Sequence, residues 1–131
     1  MTSSTRKRRG AERRGRRAET AAAIWLQLQG WRILDRRART GAGELDLVAL
    51  RGRTLAFIEV KERRSLGAGL EAVSARQRDR LLRAGALWRA SHPAFETLEP
   101  RFDLIVIAPW RLPVRLKGAF EAEHAHTQSL L

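Results

Sequence analysis

Two short segments joined by one turn constrain this chain more than anything else in it. Glu44 to Leu50 alternates polar and apolar residues at its start, and Thr54 to Lys61 is rich in β-branched and aromatic residues. Arg51-Gly52-Arg53 between them reads as the turn of a hairpin. Residues two apart in a strand share a face. One face then carries Val48, Leu50, Leu55 and Phe57, and the other Leu45, Leu47, Ala49, Ala56, Ile58 and Val60. Apolar side chains on both faces need cover on both sides, so this hairpin belongs in the middle of a layered domain.

The flanking sequence supplies the cover. A helix is expected over about 16–29, with Ala18, Ala22, Trp25 and Leu26 on one side and Gly30 as its stop. Trp31 to Asp35 reads as a short strand and Arg36 to Gly43 as a basic loop. After a loop from Glu62 to Gly69, a second long helix is expected over about 71–90, with Val73, Leu81, Ala84, Gly85 and Trp88 as its apolar stripe and His92-Pro93 beyond its end. Phe102 to Ala108 is a buried strand, and Val114 to Lys117 an edge strand. The order is αβββαβ, an α/β fold with a mixed central sheet flanked by helices. One domain over 15–122 is expected, preceded by a disordered basic arm at 1–14 and followed by a tail at 123–131.

Charge separates the arm from the domain. The formal net charge is +12 in 131 residues. Residues 1–17 hold eight basic side chains against the single acid Glu12. Such an arm reads as a tether to nucleic acid or another anionic surface, or else as a solvated tail; Arg8, Arg9, Arg13 and Arg14 are its candidate nucleic-acid contacts, joined by Arg63 and Arg64 after the hairpin. Only Lys7, Lys61 and Lys117 are lysines, so a lysine is informative in a chain whose default cation is arginine. There is no cysteine, which excludes a disulfide scaffold, a thiolate zinc site and a cysteine nucleophile. No apolar run approaches the ~20 residues of a membrane span. The stretch Ala21 to Leu26 only loosely imitates a signal peptide, being preceded by Glu19 and interrupted by Gln27 and Gln29. A cytoplasmic protein without a membrane partner is expected.

The chemistry sits at one end of the hairpin. Glu44 and Asp46 share a face of the first strand, and Glu59 and Lys61 a face of the second. A loop of Arg51-Gly52 sets paired numbers to sum to 103 and places Glu44 opposite Glu59; a loop of Arg51 to Thr54 sets the sum to 105 and places Asp46 opposite Glu59. Either odd sum gathers all four side chains on one face, and a three-residue loop separates them. Opposed Cβ atoms lie ~4.5–5.5 Å apart, a span one divalent cation bridges. Clustered carboxylates at the end of a buried surface tend to stay protonated unless a cation intervenes, and Mg²⁺ or Mn²⁺ is the hard ion such oxygens prefer. Asp46, Glu59 and Glu44 are the candidate metal ligands. Lys61 adds a fixed positive charge able to stabilise a phosphate or orient water; a salt-bridged strand end is the plain alternative. Gln77 lies in the second helix's apolar stripe and needs an internal partner. Glu19, at the edge of the first helix's apolar face, is placed to reach the same cluster, or is a first-turn acid favoured by the helix dipole. His124-Ala125-His126 has ligand-like spacing in an expected solvated tail. Trp25, Trp31, Trp88 and Trp110 can stack on bases, although three of them fit core positions better.

These residues also carry a resemblance. Gly15-x-x-Ala18-Glu19-x-x-Ala22, Gly43-Glu44-Leu45-Asp46-Leu47-Val48, Phe57-Ile58-Glu59-Val60-Lys61, Arg101-Phe102-Asp103 and Ala119-Phe120 closely resemble the YraN-like family of small bacterial proteins. The likeness spans about residues 15–122. That family is in turn similar to nucleases of the PD-(D/E)xK, restriction-endonuclease-like fold, including archaeal Holliday-junction resolvases. Carried over position by position, Asp46 matches the motif's first acid, Glu59 and Lys61 its (D/E)xK, Glu19 the acid often supplied by the first helix, and Gln77 a helix glutamine of several branches. Leu45 departs from the nominal proline, which is often missing. The resemblance implies a Mg²⁺- or Mn²⁺-dependent endonuclease acting on DNA, branched or single-stranded, with catalytic Glu19, Asp46, Glu59, Lys61 and Gln77. Proteins of similar fold often dimerise so that two sites address two strands, so a homodimer is among the expected partners. The rival expectation is a non-catalytic nucleic-acid-binding protein of the same fold. Asp103 belongs to the family pattern, with pairing to an arginine as its expected role.

Overall fold

The structure is a computed structural model describing the backbone of residues 3–118 and the side chains of 15–118. Its elements are α1 (Ser3–Leu28), β1 (Arg32–Thr40), β2 (Gly43–Arg51), β3 (Thr54–Glu62), α2 (Leu66–Glu71), α3 (Ala75–Ala90), a 3-10 turn (Pro93–Phe95), β4 (Glu99–Ile107) and β5 (Val114–Leu116). The strands form one sheet in the order β1-β2-β3-β4-β5. All neighbours are antiparallel except β3 and β4, which run parallel because the chain crosses over through α2 and α3. This is the expected mixed sheet with helices on both faces. No described helix is long and apolar enough to cross a membrane.

The central hairpin closes with Arg51 paired to Thr54 and Gly52-Arg53 at its tip. Gly52 takes φ +60 there, a conformation that is cheap for glycine. Every pair of this ladder sums to 105, from Arg51↔Thr54 to Leu47↔Ile58, so the register that sets Asp46 toward Glu59 is the one adopted.

Three element boundaries differ from those expected. Helix α1 begins at Ser3, inside the stretch expected to be a disordered arm. Arginine, alanine and glutamate are strong helix formers, and a helix nucleated where Ala18 to Leu26 docks on the sheet propagates backward at little cost. The basic stretch after Asp35 is strand up to Thr40, because pairing with β2 overrides weak β propensity. The Thr40 hydroxyl then organises the Gly41-Ala42 turn, donating to the Gly43 carbonyl at 2.6 Å and accepting from the Ala42 N–H at 3.2 Å. The second long helix starts at Ala75 rather than about 71, and the segment from Glu62 to Gly69 expected as a loop contains most of a short helix, α2. Ser65 and Ser74 each cap one of these helices, accepting from the N–H of Ala68 and of Gln77 at 3.1 Å. The expected 123–131 tail, the His124–His126 pair and Ala119-Phe120 lie outside the described residues.

Two cores sandwich the sheet. On the α3 face, Val48, Leu55 and Phe57 pack with Val73, Leu81, Ala84, Trp88, Phe102, Leu104 and Val106. Phe57 stacks on Phe102 and meets Trp88 edge-on, with centroids 5.2 and 5.8 Å apart. Helix and sheet approach so closely here that a Cβ on Gly85 would lie 2.7 Å from Phe102 Cζ. On the α1 face, Ala18, Ala22, Ala23, Leu26 and Trp31 cover Leu47, Ala49, Ala56, Ile58, Val60 and Ile105.

One residue sits on the unexpected side. Strict alternation places Leu45 with Leu47, facing α1, yet Leu45 packs in the α3-side core beside its strand partner Ala38. The adjoining pair of β1 and β2, Arg36↔Leu47, faces α1: Arg36 donates to Thr20 Oγ1 at 2.9 Å. Both strands therefore exchange faces between these pairs. The residues in between are Arg37, at φ +50, and Asp46. A left-handed residue breaks the period-two pattern of a strand in the manner of a bulge.

Candidate metal and nucleic-acid site

The face exchange creates the site. Beyond Leu47, β2 leaves the ladder with β3, and the Val60 N–H donates to Asp46 Oδ2 at 2.8 Å. Asp46 thus occupies the fork where the two strands separate. On β3, regular alternation continues: Glu59 follows Phe57 onto the α3 side and is only 6% exposed. Lys61 Nζ lies 3.2 Å from Glu59 Oε1, and Gln77 Nε2 donates to the same oxygen at 3.0 Å. The cap at Ser74 starts α3 so that Gln77 falls in its first turn, over the end of β3.

Asp46 and Glu59 are close enough for each carboxyl to feel the other's charge. Burial pushes the Asp46 carboxyl up to about 8, and the negative charges of Glu59 and Glu19 push the same way against the Val60 N–H. Asp46 therefore holds a proton near neutrality, in the place where a divalent cation would relieve the same repulsion. Glu19, from α1, approaches this pair from the other face and is held at 2.7 Å by Arg37 Nε. Arg37 also feels the charges of Glu44 and Asp46.

Glu44 does not join the cluster. Because the strands have exchanged faces, it is exposed and lines a cleft of about 420 Å³ on the α1 side with Gly15, Arg16, Glu19, Arg37 and Arg39. The expectation that four hairpin side chains share one face is corrected to three: Asp46, Glu59 and Lys61. Among the described residues, no group of three or more Asp, Glu, His or Cys is gathered for a metal ion. The donor set is the Asp46–Glu59 pair. That pair fits Mg²⁺, which usually keeps several waters and is held by one or two carboxylates together with substrate phosphates.

Of the other candidates, Arg63 and Arg64 are exposed just after β3. The side chains of Arg8, Arg9, Arg13 and Arg14 lie outside the described residues. Trp31 and Trp88 are buried and Trp25 is half-buried, whereas Trp110 is fully exposed. Trp110 stands at φ +60 just after β4, which runs parallel to β3 and leaves the sheet at the end where Lys61 sits. Asp103 is completely buried and takes two hydrogen bonds from Arg101, at 2.9 and 2.8 Å. This is the pairing with an arginine expected of it. Arg37 is the site residue that sequence reasoning missed: nothing local marks it among its neighbouring arginines, and its importance arises from a backbone angle and a partner 18 positions away.

Comparison with known proteins gives one consistent result. Residues 18–107 match the profile described as uncharacterised protein family UPF0102. A UPF0102 protein of Maricaulis maris is 48% identical over 116 residues, covering 88% of this chain and 91% of the relative. One from Nitrobacter winogradskyi is 51% identical over 108 residues, covering 82% and 92%. One from Paramagnetospirillum magneticum is 42% identical over 123 residues, covering 91% and 95%.

Proposed function

The chain belongs to the uncharacterised protein family UPF0102, and from that premise and the site geometry we propose that it is a Mg²⁺- or Mn²⁺-dependent endonuclease hydrolysing phosphodiester bonds in DNA. The observation that carries this reading is the meeting of Asp46 and Glu59 at the strand fork, with Lys61 and Gln77 on the second carboxylate. The resemblance of Asp46, Glu59 and Lys61 to a PD-(D/E)xK signature supports it, as does the αβββαβ order.

Asp46 and Glu59 would hold the cation, which would supply Lewis-acid stabilisation of charge on the phosphate. The chain's own groups do the rest. Asp46 would release its proton to serve as a ligand. Gln77 fixes the Glu59 carboxylate by its hydrogen bond, and Lys61 presents its ammonium to the phosphate and orients water. In the hydrolysis, the water oxygen bonds to phosphorus as the bond to the leaving sugar oxygen breaks; water loses a proton and the leaving oxygen gains one. The cleft of Arg16, Arg37 and Arg39 lies on the other side of Asp46 and suits a neighbouring backbone phosphate. Trp110 offers a stacking face for an unpaired base.

The test incubates purified protein and Mn²⁺ with branched, flapped, nicked and single-stranded DNA, beside a Glu59→Ala/Lys61→Ala control. Cleavage by the wild type alone is the expected result; equal persistence of every substrate with both proteins overturns the reading. One observation favours the alternative, a non-catalytic nucleic-acid-binding protein: Lys61 and Gln77 already satisfy Glu59 internally. In that case binding would fall steeply with salt and survive loss of the acids.

A further inference from the structure

A second charged cluster lies at the opposite end of the strands, on the face that α1 covers. Trp31, in the link between α1 and β1, is only 3% exposed. Three guanidinium groups surround its ring: Arg51 from the end of β2 at 4.7 Å, Arg115 from β5 at 5.3 Å and Arg101 from β4 at 5.5 Å. The sheet register brings them there. Arg101 is paired with Ala56 and Arg115 with Ile105, both of which face α1.

Among the described residues, these charges are not balanced by the groups around them. The nearby carboxylate, Asp103, is already engaged by the Arg101 fork and by the Gly118 N–H at 2.9 Å. Arg51 Nη1 donates to the Gln29 carbonyl at 3.3 Å. Among the described residues, two buried donors in the cluster have no acceptor, Trp31 Nε1 and Arg115 Nη1. Burial lowers the Arg115 guanidinium below its ordinary value; Asp103 opposes this, and Arg101 and Arg51 reinforce it. The cation–π contacts offset part of the crowding, but they leave the orphaned N–H groups unsatisfied, which is costly in a buried place.

We infer that Trp31, Arg51, Arg101 and Arg115 form a binding site for an oxyanion of the phosphate class. Guanidinium groups match phosphate oxygens in both geometry and charge, and such an anion provides the acceptors that the indole and Arg115 lack. It also neutralises the excess positive charge around one aromatic ring. Two sources share this chemistry: free phosphate or a phosphomonoester, and the phosphodiester backbone of a nucleic acid. The inference does not rest on the nuclease reading.

The test follows the Trp31 indole N–H resonance of the full-length protein, assigned by its loss in Trp31→Phe. Inorganic phosphate is titrated at constant ionic strength against chloride. The expected result is a saturable shift with phosphate and none with chloride. Arg115→Gln and, independently, the more exposed Arg51→Gln should each weaken the apparent affinity at least tenfold, while Lys117→Gln leaves it unchanged. A short single-stranded DNA without terminal phosphate then separates the sources. Displacement of phosphate assigns the site to backbone phosphodiesters, and failure to displace assigns it to free phosphate or monoesters. An unresponsive resonance, an equal response to chloride, or unchanged affinity in both arginine variants overturns the inference. So does a Glu121→Gln/Glu123→Gln protein whose resonance moves without any ligand, because the chain's own carboxylates would then be the acceptors.

Discussion

The Val60 N–H donates to Asp46 Oδ2 at 2.8 Å, where a continued antiparallel ladder would offer a carbonyl of β2. A side chain thus replaces main chain at the fork of the two strands. The replacement satisfies a buried N–H, and it anchors a carboxyl beside Glu59 that water would otherwise solvate.

Burial of that carboxyl, against the pull of the Val60 N–H, makes stability depend on pH in a direction unusual for an aspartate. The folded-state pKa of about 8 lies above the ordinary 3.8, so between these values the folded state binds more protons than the unfolded state. Stability should therefore fall as pH rises through this window and level off above it. One such proton contributes a slope of at most about 1.4 kcal/mol per pH unit. Urea titrations of metal-free protein from pH 5 to 9 should show this decline, and Asp46→Asn should flatten it.

A divalent cation should reverse the trend. Binding would displace the Asp46 proton, so Mn²⁺ should raise the melting temperature more at pH 8 than at pH 6. Calorimetry in buffers of different ionisation enthalpy should detect the released proton at the lower pH. Both effects should vanish in Glu59→Gln.

Asp103→Ala should be severely destabilising, because Arg101 would keep its charge with no partner in a largely buried place. A loss of about 3–5 kcal/mol is expected, readable as a lowered urea midpoint. Loss of less than about 1 kcal/mol would contradict the structural role assigned to this pair.

Gly85→Ala should also destabilise, by about 1–3 kcal/mol, since its Cβ would press into the Phe102 ring. Thermal denaturation measures this directly. DNA binding by the protein that remains folded should be unchanged.

Trp110→Ala should leave stability within about 0.5 kcal/mol, the side chain being fully exposed. If Trp110 stacks on an unpaired base, the same change should weaken single-stranded DNA binding by about 1–3 kcal/mol and leave heparin binding unaffected. Fluorescence anisotropy with labelled oligonucleotide distinguishes the two polyanions.

Much of the site was legible in the linear chain. The period-two apolar pattern of Glu44 to Lys61 identified the central hairpin, and two candidate registers followed from counting loop residues. The adopted sum of 105 is one of them, and Glu59, Lys61 and Gln77 converge as their spacing predicts. The apolar stripe of Val73, Leu81, Ala84, Gly85 and Trp88 is buried as read. Less legible were Arg36 to Thr40, where pairing to β2 turned a basic segment into strand, and Leu66 to Ser74, where a short helix ends at Ala72 and the Ser74 cap begins the next.

What the amino-acid order determined alone was therefore everything that follows from regular repetition: which residues alternate, which lie on one helical face, and which acids can meet across a hairpin. Only the tertiary structure decided the exchange of faces at Arg37 and Asp46. It sends Glu44 into the arginine-lined cleft, keeps Asp46 with Glu59, and brings Arg37 onto Glu19. The physical reason is that a single left-handed residue costs little locally and has no fixed signature in sequence, yet it inverts the direction of every side chain beyond it. Packing of both strands between two cores, rather than any local preference, determines where that inversion falls.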